Sequence, residues 1–393
     1  MSSYSEYDVT SSMEVSADGC STAHRRVDRD RLLATFTRLV AIDSPSRQEG
    51  KLAHALMEEL ARLGWQVRDD GTGPDCGNVI ASLPGDDALE PALFTSHMDV
   101  VMPCLGVRPR VANGFVTSSG DTVLGADAKT SIAALLELAY LLAGPLASER
   151  RPPLELVFTW GEELGHGGAK ALDLDPLRAR QAWVLDGLVP VGTIITAAPT
   201  YYAVSIRIVG RAAHAGVEPE HGVSAITLAA QAISQLQWGR LDESTTANLG
   251  TIQGGSVRNA VPAEARLEGE VRSLSAARAA DVAQNIRTTF QTVASAAGAR
   301  AEVDLEQVYA GYVLAEDDPV VARARRAFEA LSTGAQAALV RSGGGSDANE
   351  LNARGVRACV LGIGAENCHS VSERMSLSQL ELLTRWVLQI VRR

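Results

Sequence analysis

Two histidines and a series of carboxylates stand at the ends of apolar stretches of this chain, where side chains become free to do chemistry. Leu93-Phe94-Thr95-Ser96 runs into His97 and, two residues on, Asp99. Alternation along a strand puts these two on one face. The Asp99 carboxylate is therefore expected to take the hydrogen bond from the ring nitrogen that a metal does not use. Asp127 lies in Gly125-Ala126-Asp127-Ala128-Lys129, just ahead of an apolar helical stretch, where a carboxylate is common simply as a cap. The strand expected over 154–160 alternates in character and delivers Gly161-Glu162-Glu163. Adjacent carboxylates repel unless something positive sits beside them. A strand over 182–187 carries Asp186 at its end, and one over 356–362 leads through a glycine-bearing loop to His369.

Singly, these residues read as a polar cluster, a cap, a solvated turn or a surface histidine. Together, His97, Asp127, Glu163, Asp186 and His369 form a mixed nitrogen and oxygen donor set suited to zinc, with cobalt or manganese as substitutes. Five donors exceed the three plus water usual for one catalytic zinc. They fit two ions about 3.5–4 Å apart that share a carboxylate. Such a pair lowers the pKa of a bridging water and polarises a carbonyl. Glu162 is left over, beside a ligand, where a general base would pass the water's proton to a leaving amine. The chemistry expected is metal-dependent hydrolysis of an amide bond.

The elements that must position these groups follow from periodicity. Helices are expected over 29–42, 50–63, 131–142, 318–330 and 376–391, and short strands over 65–67, 78–81 and 92–96. Four of the five donors follow strands of an alternating β/α chain, and open α/β sheets gather sites outside the carboxyl ends of their strands. Between 199 and 309 the order strand, helix, strand, strand, helix, strand is the split βαβ, ferredoxin-like pattern. Residues 1–27 are rich in Ser, Asp and Glu without hydrophobic period, which predicts a disordered tail.

With 393 residues and 46% hydrophobic content the chain can bury a large core and form two domains. A net charge of −11 argues against a nucleic-acid partner held through phosphates. No apolar run approaches the roughly 18–20 residues that span a bilayer, and no basic then apolar leader opens the chain. The five cysteines are scattered and odd in number, without CxxC spacing, as reduced thiols of a cytoplasmic protein would be. Cys368, beside His369, reads as a small residue lining the site rather than a nucleophile. A phosphoester hydrolase would want Arg and Lys around these motifs, and none cluster there.

From about Arg29 to the C-terminus the chain resembles the M20 family of dinuclear zinc peptidases and amidohydrolases, and is most similar to its peptidase T-like branch. The resemblance is carried by Ser96-His97-Met98-Asp99, Gly125-Ala126-Asp127-Ala128-Lys129, Gly161-Glu162-Glu163-Leu164-Gly165, Leu185-Asp186-Gly187 and Cys368-His369-Ser370. Their joint order and spacing make it specific. It implies that His97 and Asp186 hold one zinc, Glu163 and His369 the other, and Asp127 bridges both. Asp99 would orient His97, and Glu162 would be the base. It further implies that His214 is a lid histidine that stabilises the oxyanion, often across a dimer. Asn259 and Arg272 would grip the substrate's polar end, and the glycine loop Gly343 to Ser346, with Gly344, would line the site.

The fold implied is α/β: a mixed-sheet catalytic domain (28–198 and 310–393) with helices on both faces, plus an inserted ferredoxin-like α+β lid and dimerisation domain (199–309). The partners implied are a small peptide or acyl amino acid substrate and a second copy bound through the lid. Ala128 stands where relatives usually carry Asp or Asn, which leaves the metal ligands intact. Asp rather than Glu at 186 is a pattern the family associates with aminopeptidases and dipeptidases. An N-acyl amino acid amidohydrolase is the alternative within this chemistry. A catalytically silent, metal-stabilised binding protein is the alternative outside it; its mark would be loss of Glu162 or a ligand, and this chain keeps them all.

Overall fold

The structure is a computed structural model, and its described residues are 27–331 and 333–392. All but the last residue of the tail expected over 1–27 lies outside them.

The larger sheet is mixed. Its order is Gln66–Asp69, Val79–Leu83, Leu154–Thr159, Ala92–His97, Gln181–Gly187, Arg357–Gly362, Thr193–Ala198 and Tyr312–Val313, with Ala338–Arg341 as a further partner of Thr193–Ala198. The four strands from Leu154–Thr159 to Arg357–Gly362 run parallel, and antiparallel neighbours flank them. Parallel strands covered on both faces read as continuous apolar runs, and Ala92–His97 and Leu154–Thr159 are buried at every position. The alternation expected over 154–160 is therefore not an exposed face. Glu155 is buried, its carboxylate accepting the backbone N–H groups of Arg178 and Ala179.

Helices cover both faces of this sheet. The helix Ala126–Ala143 is apolar almost all round, the mark of a buried helix; it lies on the central strands beneath Arg29–Val40 and Leu377–Val391. Among the described residues no helix is long and apolar enough to cross a membrane.

A second sheet has its own core, including Val204, Ile206, Leu267, Ile286 and Phe290. Its order is Gly239–Asp242, Thr245–Gly254, Glu264–Ser273, Thr200–Val209 and Arg300–Tyr309, all antiparallel. The helices Ala225–Ser234 and Ala276–Ala296 pack against it. The last four strands have the ferredoxin-like arrangement, and the edge strand Gly239–Asp242 is an addition that periodicity does not reveal. A small third sheet joins Pro109–Ala112 and Phe115–Ser118 to Arg374–Ser376 and Ala365–Glu366. The pairing of Phe115–Ser118 with Arg374–Ser376 carries the segment around His369 towards Asp127.

Candidate metal centre

The parallel strands end along one edge, and the donor residues meet there. Asp127 is the hub. Its Oδ1 lies 3.2 Å from His97 Nε2, and its Oδ2 lies 3.2 Å from His369 Nε2. Each imidazole has a second carboxylate: Asp186 Oδ1 is 3.4 Å from His97 Nε2, and Glu163 Oε1 is 3.0 Å from His369 Nε2. Two half-sites therefore share one carboxylate. The donor atoms of His97, Asp127 and Glu163 lie within 4.8 Å of one another, as do those of His97, Glu162 and Asp186. All five sequence-predicted donors, and Glu162, are brought together.

Local backbone explains how each side chain arrives. Pairing between Gln181–Gly187 and Arg357–Gly362 matches Leu185 with Leu361 and Gly187 with Gly362, so Asp186 is an extra residue at a register shift. Such bulges re-aim side chains beside sites. Gly161 has φ 59°, which a side chain would resist, and it turns the chain into the short helix Glu162–Leu164. Asp127 and Ala128 leave helical geometry inside Ala126–Ala143, so Asp127 is not an ordinary cap.

Asp99 meets the ring nitrogen of His97 that faces away from Asp127, and its carboxylate has further partners. His97 Nδ1 is 3.0 Å from the Asp99 backbone carbonyl and 3.5 Å from its carboxylate. That carboxylate also accepts the backbone N–H groups of Glu162 (2.9 Å) and Glu163 (3.2 Å) and the hydroxyl of Ser46 (2.6 Å). It sits at the N-terminus of the Glu162–Leu164 turn, where negative charge is favoured, and so fixes both glutamates.

The cluster holds more carboxylate than cation. Burial opposes charge on His97, yet hydrogen bonds to Asp127, Asp186 and Asp99 raise its imidazole well above the usual value. Hydrogen bonds to Asp127 and Glu163 raise His369 to about 10. Burial works to raise Asp127, but the hydrogen bonds from His369 and His97 prevail and hold its carboxyl below the ordinary range. Burial, then the charge of Asp186, push Glu162 well up, and burial lifts Asp186 to about 7. Four crowded carboxylates against two imidazoles, with both nitrogen and oxygen donors, make a set that divalent cations would neutralise.

A cleft of about 440 Å³ opens beside the cluster, lined by Asp127, Glu163, His369, Leu188, Tyr312 and the Gly343 to Ser346 loop, Gly344 included. The size suits a small ligand. His214 and Asn259 do not line it. They lie exposed on loops of the second unit, where the segments of His214 and Ala260 pair. Arg272 is engaged elsewhere, pairing with Glu270 at 3.0 Å and donating to Tyr309 Oη at 2.9 Å.

Sequence reading missed Glu373. This buried carboxylate accepts the backbone N–H groups of Leu124, Gly125 and Asp127 at 2.7, 2.7 and 3.1 Å, holding the turn that presents Asp127. Its only sequence signal is its place four residues after His369. Glu373→Ala leaves buried donors without partners, which costs about 1–3 kcal/mol; lost support of a ligand typically lowers metal affinity about 10–100-fold. Thermal denaturation and zinc titration of the variant check both. Asp347 was missed too: buried, it accepts the Thr159 hydroxyl at 2.6 Å.

Residues 200–297 match the family model of the peptidase dimerisation domain, M20_dimer. Over 369 residues the chain is 40% identical to the protein YqjE of Bacillus subtilis (strain 168), covering 93% of this chain and 98% of that one. Among solved structures it is similar to aminopeptidase PepT from Bacillus cereus ATCC 10987, at 36% identity and TM-score 0.88 over 93% of this chain and 99% of that one. It is likewise similar to a tripeptidase from Staphylococcus aureus subsp. aureus mu50, at 37% identity and TM-score 0.90 over 93% and 98%. With sequence and fold shared over nearly its whole length, the chain belongs to the M20 peptidase family, in its peptidase T-like branch.

Proposed function

We propose that the chain is a dinuclear zinc aminopeptidase that cleaves small peptides, with Glu162 as general base. The observation that carries this reading is Asp127, whose two oxygens face two different histidines, each with a further carboxylate of its own. On this reading His97 and Asp186 would hold one zinc, Glu163 and His369 the other, and Asp127 would serve both. Two zinc ions there would supply a Lewis-acid site that makes water nucleophilic near neutral pH and polarises the scissile carbonyl. Cobalt or manganese suits the same donors.

The chain's own residues do the rest. Glu162 stands beside the donors and takes the proton of the attacking water, then delivers it to the leaving amine. Asp99 keeps Glu162 and Glu163 in register through their backbone N–H groups. The Gly343 to Ser346 loop offers backbone to the substrate, and Leu188, Val189 and Val340 form an apolar wall for a side chain. The match of residues 200–297 supports a homodimer through the inserted unit. His214 and Asn259 would then reach substrate from a second copy. Four described cysteines are free thiols, in keeping with the cytoplasm.

The purified protein is expected to release N-terminal residues from dipeptides and tripeptides, to lose this activity to a chelator, and to regain it with zinc. Hydrolysis of N-acyl amino acids without peptide cleavage would replace this reading with the amidohydrolase one.

A further inference from the structure

One buried ionisable residue that the proposed reaction leaves unused touches its machinery. His166 is 4% exposed and holds a left-handed backbone, φ 62°, uncommon for a residue with a side chain. Its backbone N–H donates to the Glu162 carbonyl at 2.8 Å, and its Nε2 lies 3.4 Å from Glu162 Oε1. The Glu162 carboxylate thus lies between two imidazoles, His166 and, with a ring nitrogen within 4.8 Å, His97. The other ring nitrogen faces Glu350 Oε1 at 3.6 Å. The imidazole stacks on Tyr309 with centroids 4.7 Å apart.

Tyr309 closes the last strand of the inserted unit, Arg300–Tyr309. Its hydroxyl accepts from Arg272 at 2.9 Å, and the Arg272 guanidinium lies over Tyr201 at 4.4 Å. The glycine loop presses on the same ring: a Cβ at Gly345 would stand 2.4 Å from Tyr309 Cζ. A continuous set of contacts thus runs from the inserted unit through Arg272, Tyr309 and His166 to Glu162.

We propose that His166 is a positioning residue whose imidazole holds the Glu162 carboxylate in line for proton transfer, and that Tyr309 and Arg272 of the inserted unit hold that imidazole in place. The proposal rests on the reading of Glu162 as general base. A carboxylate free to rotate loses the alignment on which proton transfer depends, and displacements of about 1 Å can cost on the order of 100-fold in rate. His166→Leu keeps apolar bulk beside Tyr309 and removes the ring nitrogen that faces Glu162.

The test is steady-state kinetics on a tripeptide with the zinc-loaded protein, alongside zinc content. His166→Leu is expected to lower kcat about 10–100-fold with KM and zinc content unchanged. His166→Gln, whose amide can stand in for Nε2, is expected to recover part of the loss, and His166→Asn less. Tyr309→Ala should lower kcat in the same direction and add little to His166→Leu, as two groups acting through one contact do. Parental kcat in His166→Leu overturns the proposal. So does a loss shared by kcat, zinc content and thermal stability that Gln repairs no better than Asn, the outcome for a ring that merely packs. Should His166→Leu fail to fold, the Gln and Asn variants still decide: equal kcat in the two overturns it. Glu162→Gln measured in parallel separates the two readings. Retained turnover there removes the base assignment itself, whereas its loss beside an unaffected His166→Leu removes only the role of His166.

Discussion

Glu162→Gln is expected to lower kcat by about 10²–10⁴-fold, the usual contribution of a positioned general base, while the protein stays folded and, on the proposed reading, still binds two zinc ions. The amide matches the carboxylate in shape and still faces His166, but it cannot accept a proton. Glu162 is buried beside His97 and Asp186, so bulk water does not readily replace it. KM should change little, because the group acts on the reacting proton and not on the bound peptide. Kinetics and metal analysis on one preparation check this. Undiminished kcat would remove Glu162 as the base. Loss of one zinc per chain would make it a ligand instead, a role its closeness to His97 and Asp186 also permits.

Asp127→Ala is expected to have an effect at least as large for a different reason. Asp127 is the described residue that contacts both imidazoles, His97 through Oδ1 and His369 through Oδ2. Removing it deprives both half-sites at once, whereas removing Asp186 or Glu163 deprives one. Zinc content should fall below one per chain. kcat/KM should fall on the order of 10³-fold or more, equivalent to about 4 kcal/mol of lost transition-state stabilisation. Asp127→Asn, which keeps shape and one carbonyl oxygen, should fall between the two. Full zinc content and activity in Asp127→Ala would deny the shared carboxylate.

How far the sequence reveals this site depends on whether a residue's partner is near in the chain. His97, Glu162, Glu163 and Asp186 were legible because each closes an apolar run, and a parallel sheet brings such ends to one edge. Asp127 was legible only in company, since at a helix start a carboxylate has an ordinary use. Glu373 was not legible: its partners, Leu124 to Asp127, lie some 250 residues earlier, and nothing local marks it. His166 and Tyr309 meet only because the inserted unit returns its last strand to the site. Asp99 faces His97 Nδ1 at 3.5 Å, but its hold on the Glu162–Leu164 turn was not legible, because those partners lie more than 60 residues on. The fold followed the same rule. Long periodic helices were readable, but Gly239–Asp242, Thr193–Ala198 and Ala338–Arg341 are short strands whose identity comes from neighbours.

Zinc titration of the metal-free protein, read as ions bound per chain, tests the central claim most directly. Two tightly held ions per chain are expected, with hydrolysis of a tripeptide appearing as both are filled. Saturation at one ion, or full activity with none, would contradict a pair of half-sites joined through Asp127.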